Sequence, residues 1–273
     1  MPRILVTNDD GYLSKGLYIL YEAVKDLGET RIYSTEMPRS IVSHTITINR
    51  PLRITKKVHE GYTVYLTDGT PIDALYLAIH LHNYKPDLVV SGVNVGENLT
   101  LQHIFYSGTI AVAMEAALNG IPALAFSADI QWFEDFENPK LKKTITIVAR
   151  QLAAYVLEKG LPEGVDLLNI NIPNPDNLKP CIHLTKAARK RWTPEYIEYR
   201  DTRGRPCYWL KIKPLPAEPG TDVYYHNQGC ITITPLNINL NIEKVDSKEE
   251  LKEITKEVGK QLKKALLEPL EAK

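Results

Sequence analysis

Two adjacent acidic residues, Asp9 and Asp10, follow a short apolar run near the start of the chain. Carboxylates a few ångströms apart repel each other by several kcal/mol even at an effective dielectric constant of about 20. A proton on one acid, a basic partner or a divalent cation would each relieve this repulsion. No Arg or Lys follows until Lys15. Taken alone, such a pair is more often a helix cap, and only the other motifs around it, taken together, favour the cation.

Further oxygen-bearing side chains follow other predicted strands. Ser40 lies after the second strand, and Asn94 follows the apolar segment "DLVVSG". Because the carboxyl ends of parallel strands meet at one edge of a sheet, these oxygens are expected near Asp9 and Asp10. A partly open site made only of oxygen ligands suits Mg²⁺, Mn²⁺ or Ca²⁺ better than zinc.

A candidate anion site follows in the segments "SGVNVGENL" and "YSGT". The "SGT" sequence, Ser107 to Thr109, opens a predicted helix, and free backbone N–H groups at a helix N-terminus attract anions. Each segment alone also fits an ordinary turn. Together with a metal site, however, they indicate hydrolysis of a phosphoryl group, because the cation would bridge the phosphate to the carboxylates.

Strands and helices alternate along the first 172 residues, and this pattern predicts an α/β fold with a doubly wound, mostly parallel sheet. Residues 94–108 are expected to form a long loop. Beyond about Pro173 the pattern changes to strands joined by loops, and the chain ends in an amphipathic helix with Ser247 as a candidate cap. We therefore predict a catalytic core at 1–175, to which the strand 228–236 returns, an extended hairpin region at 176–245 and a C-terminal helix at 246–273.

The composition excludes several classes of protein. Lys and Arg number 33, as do Asp and Glu, so broad attraction to nucleic acid is not expected and duplex nucleic acid is not a predicted partner. The basic run from Lys186 to Trp192 is interpreted as a solvated surface loop. No apolar stretch is long enough to cross a membrane, and no leader pattern is visible, so a cytoplasmic location is expected. The three cysteines, Cys181, Cys207 and Cys230, are expected to be reduced.

Seven motifs resemble the survival protein E (SurE) family of metal-dependent nucleotidases. They occur in the family's order over most of the chain: "ILVTNDDG", "RS" at Arg39-Ser40, "DGTPIDAL", "PDLVVSGVNVGENL", "YSGTIAVAMEAA", "LNINIP" and "NQGCITITPL". The resemblance implies a Rossmann-like core that hydrolyses nucleoside 5′- and 3′-monophosphates with one divalent ion, Mg²⁺ or Mn²⁺. It also implies a homodimer or homotetramer with exchanged C-terminal segments, in which the hairpin and helix extension serves oligomerisation; the alternative for the last helix is packing on its own subunit.

The resemblance also implies the roles of individual residues. The family's metal ligands correspond to Asp9, Asp10, Ser40 and Asn94, and its phosphate-contacting positions correspond to Asn98, Ser107, Gly108 and Thr109. Three positions depart from the family pattern. Ile41 stands after Ser40 where a Gly is usual, Ser34-Thr35-Glu36 replaces "APD", and Cys230 replaces an aromatic residue.

Asp9 and Asp10 are the predicted catalytic residues. The metal is expected to hold a phosphate oxygen and a water together and to lower the pKa of that water, whose proton either carboxylate accepts. Direct attack by Asp9, which would give an aspartyl-phosphate, is the other route that the residues allow. His44 and His103 are the nearest histidines, and a structural role is favoured for both.

Two other functions use similar residues. A receiver-like signalling domain also has an acidic pair after its first strand, but such domains are much shorter, and no Lys follows "PALAFS" here. A regulator that binds nucleotide and metal without turnover would carry the same motifs. Trp192, Tyr208 and Tyr224 are candidates either to stack on a base or to pack in a subunit contact.

Overall fold

The core of the protein is a sheet of nine strands, seen in a computed structural model that describes residues 1–241 and 252–259. Its strands are β1 (Arg3–Thr7), β2 (Glu29–Thr35), β3 (Ile54–His59), β4 (Tyr62–Thr67), β5 (Leu88–Val95), β6 (Ala123–Ala128), β7 (Leu167–Ile172), β8 (Ile182–Leu184) and β11 (Ile231–Leu236). A separate antiparallel hairpin consists of β9 (Trp192–Arg200) and β10 (Pro206–Pro214).

The helices lie between the strands, as the alternating pattern predicts. They are α1 (Lys15–Val24), α2 (Pro71–Tyr76), α3 (Thr100–Tyr106), α4 (Gly108–Leu118), α5 (Pro139–Lys159) and α6 (Asp222–Asn227). Short 3₁₀ turns occur at Lys25–Leu27 and Phe133–Glu137, and a π-helical turn at Leu77–Leu81 extends α2. Among the described residues no helix could span a bilayer.

The strand order places the carboxyl ends of two strands, β1 and β5, side by side. The sheet runs β3-β4-β2-β1-β5-β6-β7-β11-β8, and the six strands from β4 to β7 in this order are parallel. The order reverses between β1 and β5, where Thr7 lies opposite Ser91. In doubly wound sheets this reversal opens a crevice at the carboxyl ends of the strands, and ligands bind there. The sheet therefore brings the residues after Thr7 next to the end of β5.

Apolar side chains cover both faces of the sheet. Successive residues of a strand point to opposite faces, so Ile4 and Val6 pack in one buried cluster with residues of α1 and α5. Leu5 packs in the other, with residues of α2 and α4. Each fully buried Leu or Ile side chain contributes about 1.5–3 kcal/mol to folding. The two layers of helices hold the crevice edge of β1 and β5 rigidly from both sides.

Residues 94–108 are not the long loop that the sequence predicts. They contain the end of β5 and helix α3, which the predicted loop missed. The backbone N–H of Thr100 at the start of α3 donates to Asp222 Oδ2 at 2.7 Å, and Ile104 is buried. This helix is fixed by a partner 122 residues away, which local sequence patterns do not show.

The C-terminal part of the chain is described for a short stretch. By its contacts the chain divides into Met1–Ile238 and Asn239–Lys273. Residues 252–259 are helical and exposed. The remainder of the helix predicted for 246–273, including its proposed cap Ser247, lies outside the described residues. The prediction of three structural regions stays a prediction.

The expectation of three reduced cysteines is wrong, because Cys181 and Cys230 form a disulfide. Strands β8 and β11 are parallel neighbours in which Ile182 lies opposite Ile231, so the residues just before them face each other, with Cα atoms 4.9 Å apart. This separation suits a disulfide. The two cysteines are 49 residues apart in sequence, and their pairing depends on the strand register. Cys207 is the free cysteine.

Replacing Cys181 with Ser is expected to lower the free energy of unfolding by about 3 kcal/mol, because the disulfide restricts the unfolded chain. The effect is measured as a shift in the urea midpoint under non-reducing conditions. The matched control is Cys207→Ser, which removes a thiol outside the bridge and should leave the midpoint unchanged. Equal midpoints for both variants would show that the bridge contributes nothing to stability.

Candidate active site

A cavity of about 300 Å³ lies at the carboxyl edge of the sheet. Six of the eight predicted site residues line it: Asp9, Asp10, Ser40, Asn94, Asn98 and Ser107. Gly108 and Thr109 do not line the cavity and instead contact Asp9 from behind. The structure therefore brings together side chains that are up to 100 residues apart in the sequence.

The carboxylate of Asp9 lies against the N-terminus of α4 and is 3% exposed. The hydroxyl of Thr109, which is itself fully buried, donates to Asp9 Oδ1. Burial raises the pKa of Asp9, whereas the Thr109 hydroxyl and the backbone N–H groups of Thr109 and Gly108 oppose this rise. A side chain at Gly108 would have its Cβ 2.8 Å from Asp9 Oδ2, so only glycine allows this close approach.

Asp10 is also buried, at 7% exposure. Burial and the neighbouring Asp9 carboxylate raise its pKa to about 7, although the Val95 N–H partly offsets them. That N–H donates to Asp10 Oδ2 at 2.8 Å and fixes the carboxylate beside the end of β5. Two buried acids with raised pKa values, and with no basic side chain among the described residues lining the cavity other than His103, form a site whose repulsion a cation would relieve.

Asn94 directs an amide oxygen toward this pair. Its Nδ2 donates to the carbonyls of Val95 and Gly96, at 3.1 and 2.8 Å, which fixes the orientation of the amide. Within residues 1–241 and 252–259, its Oδ1 accepts a single contact, a long one of 3.4 Å from the Thr109 hydroxyl. The pairing of β5 with β6 shifts register between Ser91 and Asn94, and Gly96 has a positive φ. This irregular end of β5 turns Asn94 into the cavity.

Ser40 is carried by a loop that is anchored to the sheet. The N–H of Arg39 donates to the Asp9 carbonyl at 2.7 Å, and the Arg39 guanidinium donates to the carbonyls of Asp68 and Gly69. Ser40 itself is exposed and lines the cavity. Ile41 beside it has a φ of 56° and is 80% exposed. A β-branched residue is strained in this left-handed region, which explains why glycine suits this position.

Asn98 is fixed by buried amides from the motif "LNINIP". Its backbone N–H donates to Asn171 Oδ1 at 2.7 Å, and its carbonyl accepts from Asn169 at 2.8 Å. Its Nδ2 also donates to Ser127 Oγ at 2.8 Å. Satisfied networks of this kind hold a side chain in one geometry. The network therefore presents Asn98 to the cavity in a defined position.

Helix α4 begins at the cavity. Ser107 is its N-cap, and Ser107 Oγ accepts from the Ile110 N–H at 3.2 Å. The free N–H groups of the first turn and the helix dipole favour negative charge at this end. The Asp9 carboxylate already uses part of this field, and Ser107 at the same helix end lines the cavity.

Aromatic residues form another part of the cavity wall. His103 and Tyr106 come from α3, and Trp192 and Ile212 come from the hairpin. Of the aromatic residues proposed to stack on a base, Trp192 lines this cavity, whereas Tyr208 and Tyr224 do not. His44 lies elsewhere and contacts Glu115 at 2.6 Å. The sequence analysis does not place His103 and Tyr106 together because it predicts a loop where α3 lies. In a helix over residues 100–106, these two residues are three positions apart and lie on one face.

The comparisons with known proteins agree with these motifs. A family model described as "Survival protein SurE" matches residues 4–194. The chain belongs to the SurE family. Proteins named 5′-nucleotidase SurE from Hyperthermus butylicus and Thermofilum pendens are 44% and 40% identical to it. The matches cover 89% and 87% of this chain and 87% and 91% of those proteins, respectively.

A solved SurE structure shows the same fold. The crystal structure of the SurE protein from Aquifex aeolicus superposes with a TM-score of 0.77 at 34% sequence identity. The match covers 93% of this chain and all of that chain. The α/β fold with its mostly parallel sheet and added hairpin is thus the SurE fold, as the sequence predicts.

Proposed function

We propose that the protein is a divalent-metal-dependent nucleotidase that converts nucleoside 5′- and 3′-monophosphates to nucleoside and phosphate. The observation that carries this proposal is the convergence of the Asp9, Asp10 and Asn94 oxygens with Ser40 in one cavity beside the α4 N-terminus. The names of the SurE relatives, which are 5′-nucleotidases, support the same reaction. Because the sheet reversal places this cavity where α/β folds bind ligands, the location also fits.

The donor set suits Mg²⁺ or Mn²⁺. Asp9 and Asp10 supply carboxylate oxygens, Asn94 supplies an amide oxygen and Ser40 supplies a hydroxyl, and hard divalent cations prefer oxygen ligands. The two carboxylates are buried and have raised pKa values, so they gain from a positive charge between them. When bound, one divalent ion would supply positive charge to the phosphoryl oxygens and lower the pKa of an attacking water.

The protein residues then have separate tasks. Asp9 or Asp10 accepts the proton of the attacking water as its oxygen bonds to phosphorus. The ester P–O bond breaks, and the nucleoside oxygen takes up a proton. Asn98 and Ser107, which line the cavity, stabilise the charge on the phosphoryl oxygens, and the N–H of Gly108, which contacts Asp9, holds that carboxylate. Thr109 donates to Asp9, so we assign it the positioning of that carboxylate in addition to the predicted phosphate contact.

Attack by Asp9 itself is the second route through the same site. Asp9 lines the cavity, and the Thr109 hydroxyl, which donates to Oδ1, orients its carboxylate, as a nucleophilic carboxylate requires. The bond formed would join this oxygen to phosphorus, and water would cleave it in a second step. The overall products are the same for both routes.

We also propose a homodimer or homotetramer with exchanged C-terminal segments. The β9–β10 hairpin pairs over nine residues, and the face opposite Tyr196 and Leu210 exposes large apolar side chains: Ile197, Tyr199 and Trp209. A two-stranded hairpin alone is marginally stable in water. Exposed apolar surface on such a hairpin is typical of a subunit contact.

The test of the catalytic proposal is phosphate release from AMP with Mn²⁺ or Mg²⁺, with and without a chelator. We expect release with either metal and its loss when the chelator is added, because the acids alone repel the phosphate. The same assay with 3′-AMP tests the second substrate. Tight AMP binding without phosphate release would instead indicate a non-catalytic nucleotide-binding regulator.

A further inference from the structure

A second, larger groove adjoins the active-site cavity. It has a volume of about 860 Å³ and shares three residues with the cavity: Ile41, Tyr106 and Trp192. The other residues along it are Leu101, Gln102, Phe105, Arg189, Lys190, Pro194, Tyr196 and Leu210. The residues that close one side of the cavity therefore also form one side of the groove, and a ligand in the cavity can continue past them.

The ring shared by the two spaces is held in place. Trp192 Nε1 donates to His103 Nε2 at 2.8 Å, and the Trp192 backbone N–H donates to Gln102 Oε1 at 3.3 Å. Because an indole N–H only donates, His103 Nε2 is the acceptor, and its Nδ1 carries the proton that is donated to Glu97 at 3.0 Å. A fixed indole between two binding spaces offers a face on which a base can stack whatever its identity.

Two positive charges lie along the groove. Arg189 and Lys190 are exposed, and the backbone on both sides of them is anchored. The Ala188 N–H donates to Asp222 at 3.0 Å, and the Arg191 N–H donates to Gln102 at 3.0 Å. Arg191 pairs with Glu97, whereas neither Arg189 nor Lys190 forms an ion pair within residues 1–241 and 252–259. Of the described residues that line the groove, none is acidic.

From these observations we infer that the groove is a subsite for a second nucleotide and that short 5′-phosphorylated oligonucleotides are substrates. The inference rests on the proposed function, since the terminal phosphate must occupy the metal end of the cavity. Stacking rings beside basic side chains are the usual means of binding single strands without sequence preference. Arg189 and Lys190 receive the first internal phosphodiester, and Trp192 receives a base.

The reaction at the oligonucleotide end is the same hydrolysis. Water forms a bond to the terminal phosphorus, the P–O bond to the 5′ carbon's oxygen breaks, and that oxygen takes up a proton. The products are phosphate and an oligonucleotide with a 5′-hydroxyl. The internal phosphodiester is bound and stays intact. The basic run 186–192 thus has a role beyond that of a solvated surface loop.

The experiment compares phosphate release from AMP and from the dinucleotide pApA. We expect the KM for pApA to be about fivefold below that for AMP, because one or two exposed ion pairs each add up to about 1 kcal/mol. The double variant Arg189→Gln/Lys190→Gln should raise the KM for pApA about fivefold and leave the kinetics with AMP unchanged. In a plot of log KM for pApA against log salt concentration, the slope should be about 0.7 greater in wild type than in the variant.

The matched control is Lys85→Gln/Lys143→Gln, which removes two positive charges from exposed positions away from the groove. It should leave both substrates unaffected. Equal KM values for AMP and pApA in wild type, or an equal effect of the groove variant on both, would overturn the inference. If a second copy of the chain fills the groove, the groove variant changes the mass in solution and pApA shows no advantage, which also overturns it.

A binding measurement separates this inference from the proposed function. The Asp9→Asn variant, which we expect to be inactive, is titrated with pApA and with AMP in the presence of Mn²⁺. Tighter binding of pApA that requires Arg189 and Lys190 would support the subsite even if no nucleotide is hydrolysed by wild type. If wild type releases no phosphate from AMP, that result would contradict the proposed reaction but would not contradict the subsite in the groove.

Discussion

Replacing Asp9 with Asn is expected to lower kcat for AMP by about a thousandfold, the size of effect seen when a group that stabilises the transition state is removed. The amide cannot accept the water's proton or carry the negative charge that a cation needs. The Thr109 hydroxyl can still donate to the amide oxygen, as it does to Asp9 Oδ1. Because the change also removes the repulsion with Asp10, the fold should stay intact. Phosphate release and urea unfolding measure the two effects.

The control for this prediction is Asp176→Asn, the same change at an exposed site away from the cavity. It should retain the activity of wild type. Turnover by Asp9→Asn at the wild-type rate would exclude Asp9 from the reaction and with it the proposed metal site. Both chemical routes need this carboxylate, so acid quenching with phosphate-labelled AMP is required to separate them. Label retained on Asp9 would indicate an aspartyl-phosphate, and its absence supports direct attack by water.

The sequence predicts the position of the site because the site follows from strand ends. Asp9 and Asp10 come directly after β1, and Asn94 lies near the end of β5. Since parallel strands have their carboxyl ends at one edge, alternation of strands and helices is enough to predict that these residues approach each other. The SurE motifs add the identity of the family, which the family match and the relatives confirm.

The features that the sequence does not predict depend on contacts between distant residues. Helix α3 begins at Thr100, whose N–H is accepted by Asp222, and the disulfide forms because β8 and β11 are neighbours. The Asp10 carboxylate is fixed by the Val95 N–H, 85 residues away. Local propensity contains no information about these partners. Of the aromatic residues that line the cavity, the sequence therefore predicts a ligand contact only for Trp192, and it does not predict the adjacent groove.

The structure differs most from the prediction at Thr109. The motif "YSGT" at a helix start suggests that each polar group faces a phosphate. In the structure the Thr109 side chain is fully buried and donates to Asp9, whereas Ser107 lines the cavity. The first turn of α4 therefore has two sides, one toward the carboxylate and one toward the cavity. Only the packing of α4 against β5 and β6 decides which residue lies on which side.

The metal-free protein is expected to lose stability as the pH rises from about 4 to about 7. Asp10 has a pKa of about 7 in the folded protein against 3.8 for an exposed carboxyl, so the folded state binds this proton more tightly than the unfolded state. The stabilisation is complete below pH 3.8 and is lost as the pH rises through about 7. The difference is on the order of 4 kcal/mol for this carboxyl, and the raised pKa of Asp9 acts in the same direction.

Urea unfolding in chelator at pH 4.5 and 7.5 measures this loss, with Asp10→Asn as the reference. The reference is needed because carboxyls with lowered pKa values, such as Asp68 and Asp129, change stability in the opposite direction in both proteins. Stability of wild type relative to Asp10→Asn should therefore fall between the two pH values. Added Mn²⁺ should restore it, and more at pH 7.5, because the metal binds ionised carboxylates and competes with the proton. A pH-independent difference between the two proteins would show that the folded state does not raise the pKa of Asp10, and that Asp9 and Asp10 do not need a cation between them to relieve repulsion.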